Sequence, residues 1–354
     1  MKGRLPIGPF DAAFRMPMLC DCDLQAGRVS EAAGTALAAP ATRWLAFEGL
    51  TPDEGAVLAS RVCARAGVHH AAAFCEAVEA AAGLEVSMEH HAWRVILSEW
   101  ARIASHLEVV SDVARCLQDD ITSGPPRRYL LRIRESFNLL CSDPFASGAI
   151  VPGGVSLTGD TAAVDSMSEA AMALKKDASM WQRKLRLSGP RLSSSHLDMK
   201  DIPDEHPPAP AFRASGSELD VRSGDDAPGF YAEAGYSPVV RTGGTPLDRA
   251  LVLLGEVVSS LELIDKAHEV ADYGGPPEAR ALGAGSGSGL WESSHGGLEY
   301  RVFLASDGRL SRVRPASAAD VVAELVGPAL KGAPFEDVAP ALVSLNMCVS
   351  CSTA

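Results

Sequence analysis

The sequence predicts a mainly α-helical protein of the α+β class, built on long helices with small β elements. Alanine is frequent and aromatic residues make up only 6% of the chain, a composition that favours close-packed helices over a β-sandwich. The segment from Ser87 to Leu117 contains no Gly or Pro and repeats apolar residues at helical spacing, which predicts one long core helix. A length of 354 residues allows one large domain or two ordinary ones.

We divide the chain near residue 50. Residues 1–50 mix Gly, Pro and short apolar alternations, and predict an irregular or strand-rich N-terminal segment. Thr51 is typical of a helix N-cap, with Pro52 at the first helical position and acidic residues in the first turn. A helical domain is therefore expected over residues 51–354.

Further helices and loops are expected along this domain. The predicted helices cover about residues 52–80, 87–117, 128–141, 161–187, 246–272 and 320–326. Gly124 and the two prolines after it are expected to end the long helix. Two loop-rich excursions are predicted, residues 189–245 and 273–290, and the second contains a glycine run that indicates a flexible loop. A hairpin is expected about Asp307-Gly308.

Charge and hydropathy exclude two kinds of partner. The net charge is −13, and Lys and Arg form no run that could neutralise a phosphate backbone, so a nucleic-acid partner is not expected. No apolar stretch approaches the ~20 residues needed to cross a bilayer, and no signal-like block follows Met1. We expect a cytoplasmic protein without a direct membrane span, either free or peripheral on a membrane complex.

The cysteines are the first candidates for chemistry. Without an export signal, the eight cysteines are better interpreted as core residues, metal ligands or redox groups than as a disulfide framework. Cys348 and Cys351 have the spacing with which two thiolates chelate one metal or form a redox disulfide. A zinc site would need a second pair, and Cys20-Asp21-Cys22 has the wrong spacing for it. Taken alone, Cys348 and Cys351 are equally consistent with two structural or incidental cysteines that bind no metal and form no redox disulfide.

A second cysteine-containing stretch, from Arg61 to His70, complements the terminal pair Cys348 and Cys351. The stretch from Arg61 to His70 resembles the Arg-x-Cys-Gly-x-Cys-x-x-x-His element of nickel-iron hydrogenase large subunits, whose C-terminal element is Asp-Pro-Cys-x-x-Cys. The matching residues are Arg61, Cys63, His70, Cys348 and Cys351. The departures are Ala64 for the Gly, Ala66 for the second Cys, and Asn346-Met347 for Asp-Pro.

Other elements follow in the same order over residues 45–354. They resemble the energy-converting branch of that family and its relative, the 49-kDa-type subunit of respiratory complex I. Arg213-Ala-Ser-Gly with Asp220 and Arg222 is similar to a shared Arg-Ala-Ser-Gly…Asp-x-Arg stretch, and Glu292-Ser-Ser-His295-Gly falls where the family has Glu-x-Pro-Arg-Gly. The resemblance implies a long-helix bundle of the hydrogenase large-subunit type with small peripheral β elements.

The resemblance also implies a metal site. Four thiolates hold nickel and iron in the family, and three remain here, so Cys63, Cys348 and Cys351 are the expected ligands and nickel and iron the expected cofactors. Water, His69 or His70 could complete a three-thiolate site, which would differ by one charge unit from the full set. The alternative is that the three thiols are inert core residues.

Five further residues receive roles from the resemblance and one stays open. Arg61, His70 and Arg213 are expected to contact the cofactor, with His70 orienting a ligand through a hydrogen bond unless it is a satisfied core histidine. Glu292 and His295 are the expected catalytic residues, and His295 replaces an Arg that is permanently charged. Glu48 aligns with the proton-relay Glu of the family only if a gap is introduced.

The implied function is that of a hydrogenase large-subunit-like oxidoreductase subunit, whose metal site is either functional or degenerate. It would pass electrons to an iron-sulfur small subunit, because this chain has no cysteine set for clusters of its own. Two alternatives remain open. One is a metal-free structural or quinone-side subunit of a complex I-like assembly, which Ala64 disfavours because that family places a Tyr there. The other is a zinc-binding structural protein.

Overall fold

A computed structural model describes residues 2–8, 18–36, 41–158, 162–203, 208–278, 280–346 and 348–351. The helices are α1 (Pro52–Ser60), α2 (Gly67–Ala82), α3 (Met88–Cys116), α4 (Asp120–Cys141), α5 (Ala162–Leu187), α6 (Gly189–Leu192), α7 (Ala209–Ala214), α8 (Phe230–Ala234), α9 (Pro246–His268), α10 (Val326–Leu330) and α11 (Val338–Ser344). The strands are β1 (Lys2–Ile7), β2 (Met18–Gln25), β3 (Arg28–Ala36), β4 (Ile150–Val151), β5 (Gly154–Val155), β6 (Gly285–Ser293), β7 (Gly296–Leu304) and β8 (Leu310–Ser317). The predicted mainly α fold with small sheets is confirmed.

The long helix α3 forms the centre of the fold, as its unbroken apolar periodicity predicted. Its N-cap is Ser87, whose hydroxyl accepts a hydrogen bond from the amide of His90. Trp100 and Ile103 are buried on it, and α4, α9 and α11 pack along its length. The helix therefore provides the wall against which the later parts of the chain assemble.

The predicted continuous helix over residues 52–80 is wrong in its middle. Thr51 caps α1 with the expected capping box, but the chain leaves helical geometry after Ser60 and resumes it only at Gly67. Gly67 lies so close to Ser60 that an added Cβ would stand 2.1 Å from the carbonyl oxygen of that residue. Only glycine fits this close approach, and the break places Cys63 in a tight connection between two helices.

The start of α4 also differs from the prediction. We expected Gly124 and the prolines after it to precede a helix beginning near residue 128, yet the helix begins at Asp120. Pro125 and Pro126 lack amide hydrogens, but the bonds lost would have gone to carbonyls in the first turn of the helix. Both prolines lie inside the helix, beyond the first helical position at which proline is well tolerated, and nothing in the described structure explains why the helix continues through them.

The glycine run that indicated a flexible loop is instead strand β6. Gly285, Gly287 and Gly289 alternate along the strand on the side that faces α2. An added Cβ at these three positions would stand 2.1–2.4 Å from main-chain atoms of α2. Glycine at every second position thus allows the helix to lie directly on the strand, a packing role that the composition of the run concealed.

Two three-stranded antiparallel sheets lie at the ends of the chain. Strands β1, β2 and β3 form the first, in agreement with the strand-rich start, and β6, β7 and β8 form the second. The hairpin predicted about Asp307-Gly308 joins β7 to β8. Ser293 pairs with Gly296, so β6 and β7 are joined by the two-residue turn Ser294-His295. The domain boundary near residue 50 stays a prediction.

The segment 189–245, predicted as a loop-rich excursion, contains buried charged side chains. In its described part the short helices α6, α7 and α8 alternate with turns and irregular backbone, and Arg213, Asp220 and Arg222 are buried. The segment therefore inserts ionic side chains into the core beside α3 and α9. No described helix combines the length and the apolar character needed to cross a bilayer.

Candidate metal centre

The three cysteines predicted as ligands converge although they come from both ends of the chain. The sulfur of Cys63 lies 3.3 Å from that of Cys348, and the sulfurs of Cys63, Cys348 and Cys351 lie with one ring nitrogen of His295 within 4.8 Å of one another. All four side chains are buried. This is the one group of at least three His, Cys or carboxylate donors so assembled in the parts of the chain that the structure describes.

Each of the three cysteines is held by its own local contacts. Cys63 lies in the connection between α1 and α2, and the amide of Arg65 donates to its sulfur at 3.4 Å. Cys348 and Cys351 lie at the final 3-10 turn, where the Ser317 hydroxyl donates to the carbonyl oxygen of Cys351 at 2.7 Å. Ala66, the residue at the missing cysteine position, is fully buried in the same cluster of side chains. The methyl group of Ala66 thus lies where the resemblance expects a fourth thiolate.

The protonation of the three thiols is shared among them. Hydrogen bonds from Cys351 and Cys63 hold the pKa of Cys348 well below its usual range, and the nearby imidazole of His295 acts in the same direction. The bond to Cys348 and burial raise the pKa of Cys63 to about 12, and equivalent contacts raise that of Cys351. Cys348 is therefore the thiol that ionises first, and a bound cation would have to displace the protons of the other two.

His295 occupies the fourth side of the cluster. Its Nδ1 donates to the carbonyl oxygen of Asn346 at 3.0 Å, because a carbonyl can only accept. The Nε2 atom is buried and makes no hydrogen bond of good geometry to any described residue. Placed where the resemblance expected an arginine, His295 thus keeps its lone pair on Nε2, and one of its two ring nitrogens belongs to the donor group of the cysteines.

Asn346 links the cluster to its surroundings. Its side-chain amide donates to the carbonyl oxygen of Ser294 at 2.7 Å, and its side-chain oxygen accepts from the guanidinium of Arg65. Arg65 in turn pairs with Glu108 at 3.2 Å. Asn346 has φ of 53°, a conformation that Asn adopts more readily than most residues. One side chain thus bridges the hairpin turn of His295 and the loop of Cys63.

The remaining cofactor-contact candidates lie elsewhere. Arg61 is exposed at the end of α1. His70 is buried in α2 with its Nδ1 at 2.8 Å from the hydroxyl of Tyr300. The Nε2 of His69 lies 3.1 Å from the carbonyl oxygen of Ser98, and neither histidine is in the donor group of the cysteines. Glu48 is exposed.

Arg213 and Glu292 belong to a buried network of charged side chains next to the cysteine cluster. Arg213 lies 2.8 Å from Glu256, 3.0 Å from Glu292 and 3.1 Å from Asp220. Arg222 lies 2.7 Å from Asp220. All these side chains are nearly inaccessible to solvent, so each charge must be balanced inside the protein.

Sequence reasoning missed the members of this network that α3 and α9 contribute. Glu99 accepts from Arg222 and lies 3.2 Å from Arg102, and the Nε2 of His106 lies 2.8 Å from Glu256. Ionisable residues on the apolar faces of two predicted core helices were the signal that could have identified them. Arg102 also donates to the carbonyl oxygens of Glu292 and Ser293, and so holds the end of the strand that precedes His295.

Two carboxyl groups of the network, Asp220 and Glu292, have pKa values shifted in opposite directions. Burial alone would raise the pKa of Asp220, but Arg222 and Arg213 outweigh it and lower the pKa to about 2. Burial and the neighbouring Asp220 carboxylate raise the pKa of Glu292. Arg213, Asp220 and Glu292 also line a cleft of about 630 Å³ beside β6. Glu292 is thus the network carboxyl with the higher proton affinity, and it faces that cleft.

This fold, with cysteines from both ends of the chain meeting in its core, defines a class of protein. The chain is a homologue of hydrogenase large subunits and of the 49-kDa-type subunits of NADH-quinone oxidoreductase, so the resemblance found in the sequence is confirmed. No protein-family model matches the chain.

Three curated relatives illustrate the range of the class. The membrane-bound hydrogenase subunit alpha of Pyrococcus furiosus is 24% identical over 326 residues, 83% of this chain and 74% of the relative. The carbon monoxide-induced hydrogenase of Rhodospirillum rubrum is 22% identical over 98% of each chain. An NADH-quinone oxidoreductase subunit of the same 49-kDa type, from Desulfitobacterium hafniense, is 26% identical over 57% of this chain and 55% of its own length.

A solved structure confirms the fold over the whole chain. A chain in the structure of the membrane-bound sulfane sulfur reductase, an archaeal respiratory membrane complex, superposes with a TM-score of 0.88 at 20% identity. The superposition covers 100% of this chain and 98% of that chain. The helices and the small sheets therefore belong to a known architecture, while the chemistry of the site rests on the residues of this chain.

Proposed function

We propose that the chain is the large-subunit counterpart of a hydrogenase-like or complex I-like respiratory membrane complex, an oxidoreductase subunit at the periphery of the membrane. The observation that carries the proposal is the meeting of Cys63, Cys348 and Cys351 in a buried cluster. Thiols from opposite ends of a chain have no reason to converge for packing alone, since any small apolar residue would fill the space. The relatives named above are hydrogenase and quinone-oxidoreductase subunits, which supports the same assignment.

The proposal includes a partner that holds iron-sulfur clusters. Such clusters need a set of cysteine thiolates. In the described part of the chain the cysteine cluster is the only assembly of three or more metal-binding donors, and it gathers three of the eight cysteines. Electrons that leave or enter this subunit would therefore travel through clusters bound by another chain. We infer that this chain exchanges electrons with an iron-sulfur small subunit.

The nickel and iron implied by the resemblance do not fit the donors present. Two ions share four thiolates in the family, whereas this cluster offers three, with the methyl group of Ala66 at the fourth place. Three thiolates still suit one borderline-soft ion. Nickel and iron were expected from the resemblance alone, and the proposed role in a complex does not depend on them.

The test is purification from the native host. The full chain, tagged at either end, is extracted from membranes in mild detergent, and its companions are identified by mass spectrometry. We expect a subunit with cysteine-bound iron-sulfur clusters to co-purify, and the same extraction from cells that make the untagged chain serves as the control for non-specific capture. Recovery of the chain only as a free, stable monomer would overturn the proposal.

A further inference from the structure

We propose that Cys63, Cys348, Cys351 and His295 together bind a single metal ion in a closed tetrahedral site, with the imidazole of His295 in place of the fourth thiolate. The four donor atoms already lie within 4.8 Å of one another. Thiolate bonds of about 2.3 Å place the corners of a tetrahedron about 3.8 Å apart, so small inward movements complete the site. The inference deepens the proposed function, because it concerns the same cluster, but it concerns only the metal and not the partner.

The imidazole is prepared for coordination. Its Nδ1 hydrogen is committed to the carbonyl oxygen of Asn346 at 3.0 Å, which fixes the tautomer and leaves the lone pair on Nε2. A poorly satisfied buried nitrogen costs stability unless it gains a partner. A metal ion among the three sulfurs would supply that partner. The hydrogen bond behind the ring is the same arrangement that orients metal-bound histidines in general.

The hairpin that carries His295 is held in place from three sides. The Ser293 hydroxyl donates to the carbonyl oxygen of Gly296 at 2.7 Å and accepts from the amide of His295 at 3.1 Å. Arg102 donates to the Ser293 carbonyl oxygen at 2.8 Å, and Asn346 donates to that of Ser294. Such a turn presents the imidazole in one orientation, as a metal ligand requires.

The donor set also indicates how many ions are bound and which kind. Three thiolates and one imidazole are a complete set for one tetrahedral ion and match the Cys3His sites that hold zinc. Ferrous iron accepts the same sulfur-rich tetrahedron. The ligand is therefore a borderline-soft divalent ion, zinc or ferrous iron. Four protein ligands leave no open position, so the ion itself would not bind a substrate such as dihydrogen.

The first test measures metal in the full-length chain expressed alone, so that iron held by a partner cannot contribute. Elemental analysis is expected to give one zinc or one iron per chain, and X-ray absorption at the corresponding edge is expected to show three sulfur and one nitrogen neighbours. The edge that responds distinguishes zinc from iron. Two metal ions per chain, nickel together with iron, or no metal in a folded chain would overturn the proposal.

The second test replaces His295 and follows binding of Co²⁺ to the metal-free full chain by its visible ligand-field bands. His295→Ala is expected to weaken binding by about 100-fold, at least the loss that follows removal of a supporting group. His295→Cys is expected to keep one ion and to shift the bands toward those of a four-sulfur site. This second variant keeps the test decisive if the alanine variant folds poorly.

The matched control is His69→Gln. His69 is equally buried and was a candidate from sequence to complete the site, yet its Nε2 faces the carbonyl oxygen of Ser98, which a glutamine amide can also reach. Cobalt affinity and spectrum should be unchanged in this control. An unchanged cobalt spectrum in His295→Ala, with circular dichroism like that of the natural chain, would refute the assignment of His295 as a ligand. Because neither test involves a partner subunit, their failure is distinct from failure of the co-purification.

Discussion

The glycines of β6 provide a direct test of how closely helix α2 packs on this strand. Gly287 lies under α2, and an added Cβ there would stand 2.4 Å from the amide nitrogen of Ala81 and 2.5 Å from the carbonyl oxygen of Ala77. Ordinary contact begins near 3.4 Å. Gly287→Ala therefore requires the helix and the strand to separate by about 1 Å, the difference between the ordinary contact and the closest one.

The cost follows from which atoms are in the way. The obstructing atoms belong to the main chain of α2, so no change of side-chain rotamer relieves the clash. A gap of about 1 Å forfeits up to half of each dispersion contact across the interface, and overpacking of this kind costs about 1–3 kcal/mol. We expect a loss near the upper end, about 3 kcal/mol of unfolding free energy. In an unobstructed strand the same substitution would instead stabilise by about 0.4–1 kcal/mol.

The assay is urea unfolding followed by circular dichroism, with the natural chain and both variants under identical conditions. Gly283→Ala is the control, because it lies in the same glycine run and an added Cβ would meet nothing within 4 Å. We expect the midpoint to fall for Gly287→Ala and to stay or rise for Gly283→Ala. Equal midpoints for the two variants would refute the direct packing of α2 on β6.

Three further predictions concern the site and the network. Burial lowers the pKa of His106 to about 4 from 6.5, so the neutral imidazole stabilises the fold above pH 6.5, and this contribution disappears as the pH falls toward 4. Between pH 6.5 and pH 4 the unfolding free energy of the natural chain should fall by about 3 kcal/mol more than that of His106→Gln. Parallel plots of unfolding free energy against pH for the two proteins would contradict this prediction. Asn346→Asp removes the amide that donates to Ser294 and should weaken cobalt binding by about 10-fold without changing the spectrum, whereas an altered spectrum would argue against a positioning role. Ala66→Cys supplies a fourth thiolate and should retain more nickel than the natural chain when both are made with hydrogenase maturation proteins, and one nickel plus one iron in the natural chain would be evidence against this reasoning.

The elements that sequence predicted well are those that local signals determine. Ser87 and Leu117 bound α3 as the periodicity indicated, because the N-cap and the apolar face of a helix are written into consecutive residues. The capping box at Thr51 and the start of α9 at Pro246 follow the same rule. The hairpin at Asp307-Gly308 was found because its turn needs glycine at a positive φ.

The elements that sequence missed depend on contacts between distant segments. Gly285, Gly287 and Gly289 have the composition of a flexible linker, and only the helix lying across them makes a strand of them. Cys63 lies in a loop because Gly67 can approach Ser60, a contact that helix propensity does not include. The role of His295 was assigned by comparison with an arginine, and its actual neighbours, Asn346 and the cysteines, are remote in the chain.

The departures of this chain from the family pattern meet at one place in the structure. Ala66 lacks the fourth thiolate, one ring nitrogen of His295 lies with the remaining three sulfurs, and the side-chain amide of Asn346 donates to Ser294 in the turn that carries that imidazole. Simple loss of the site would leave no physical reason for these residues to fit together, because a decaying cavity is filled by any apolar side chain of suitable size. A buried imidazole whose lone pair has no well-placed donor is costly, and an ion bound among the three sulfurs would compensate for that cost in His295. We therefore interpret the three departures together, as features of the proposed single-ion site.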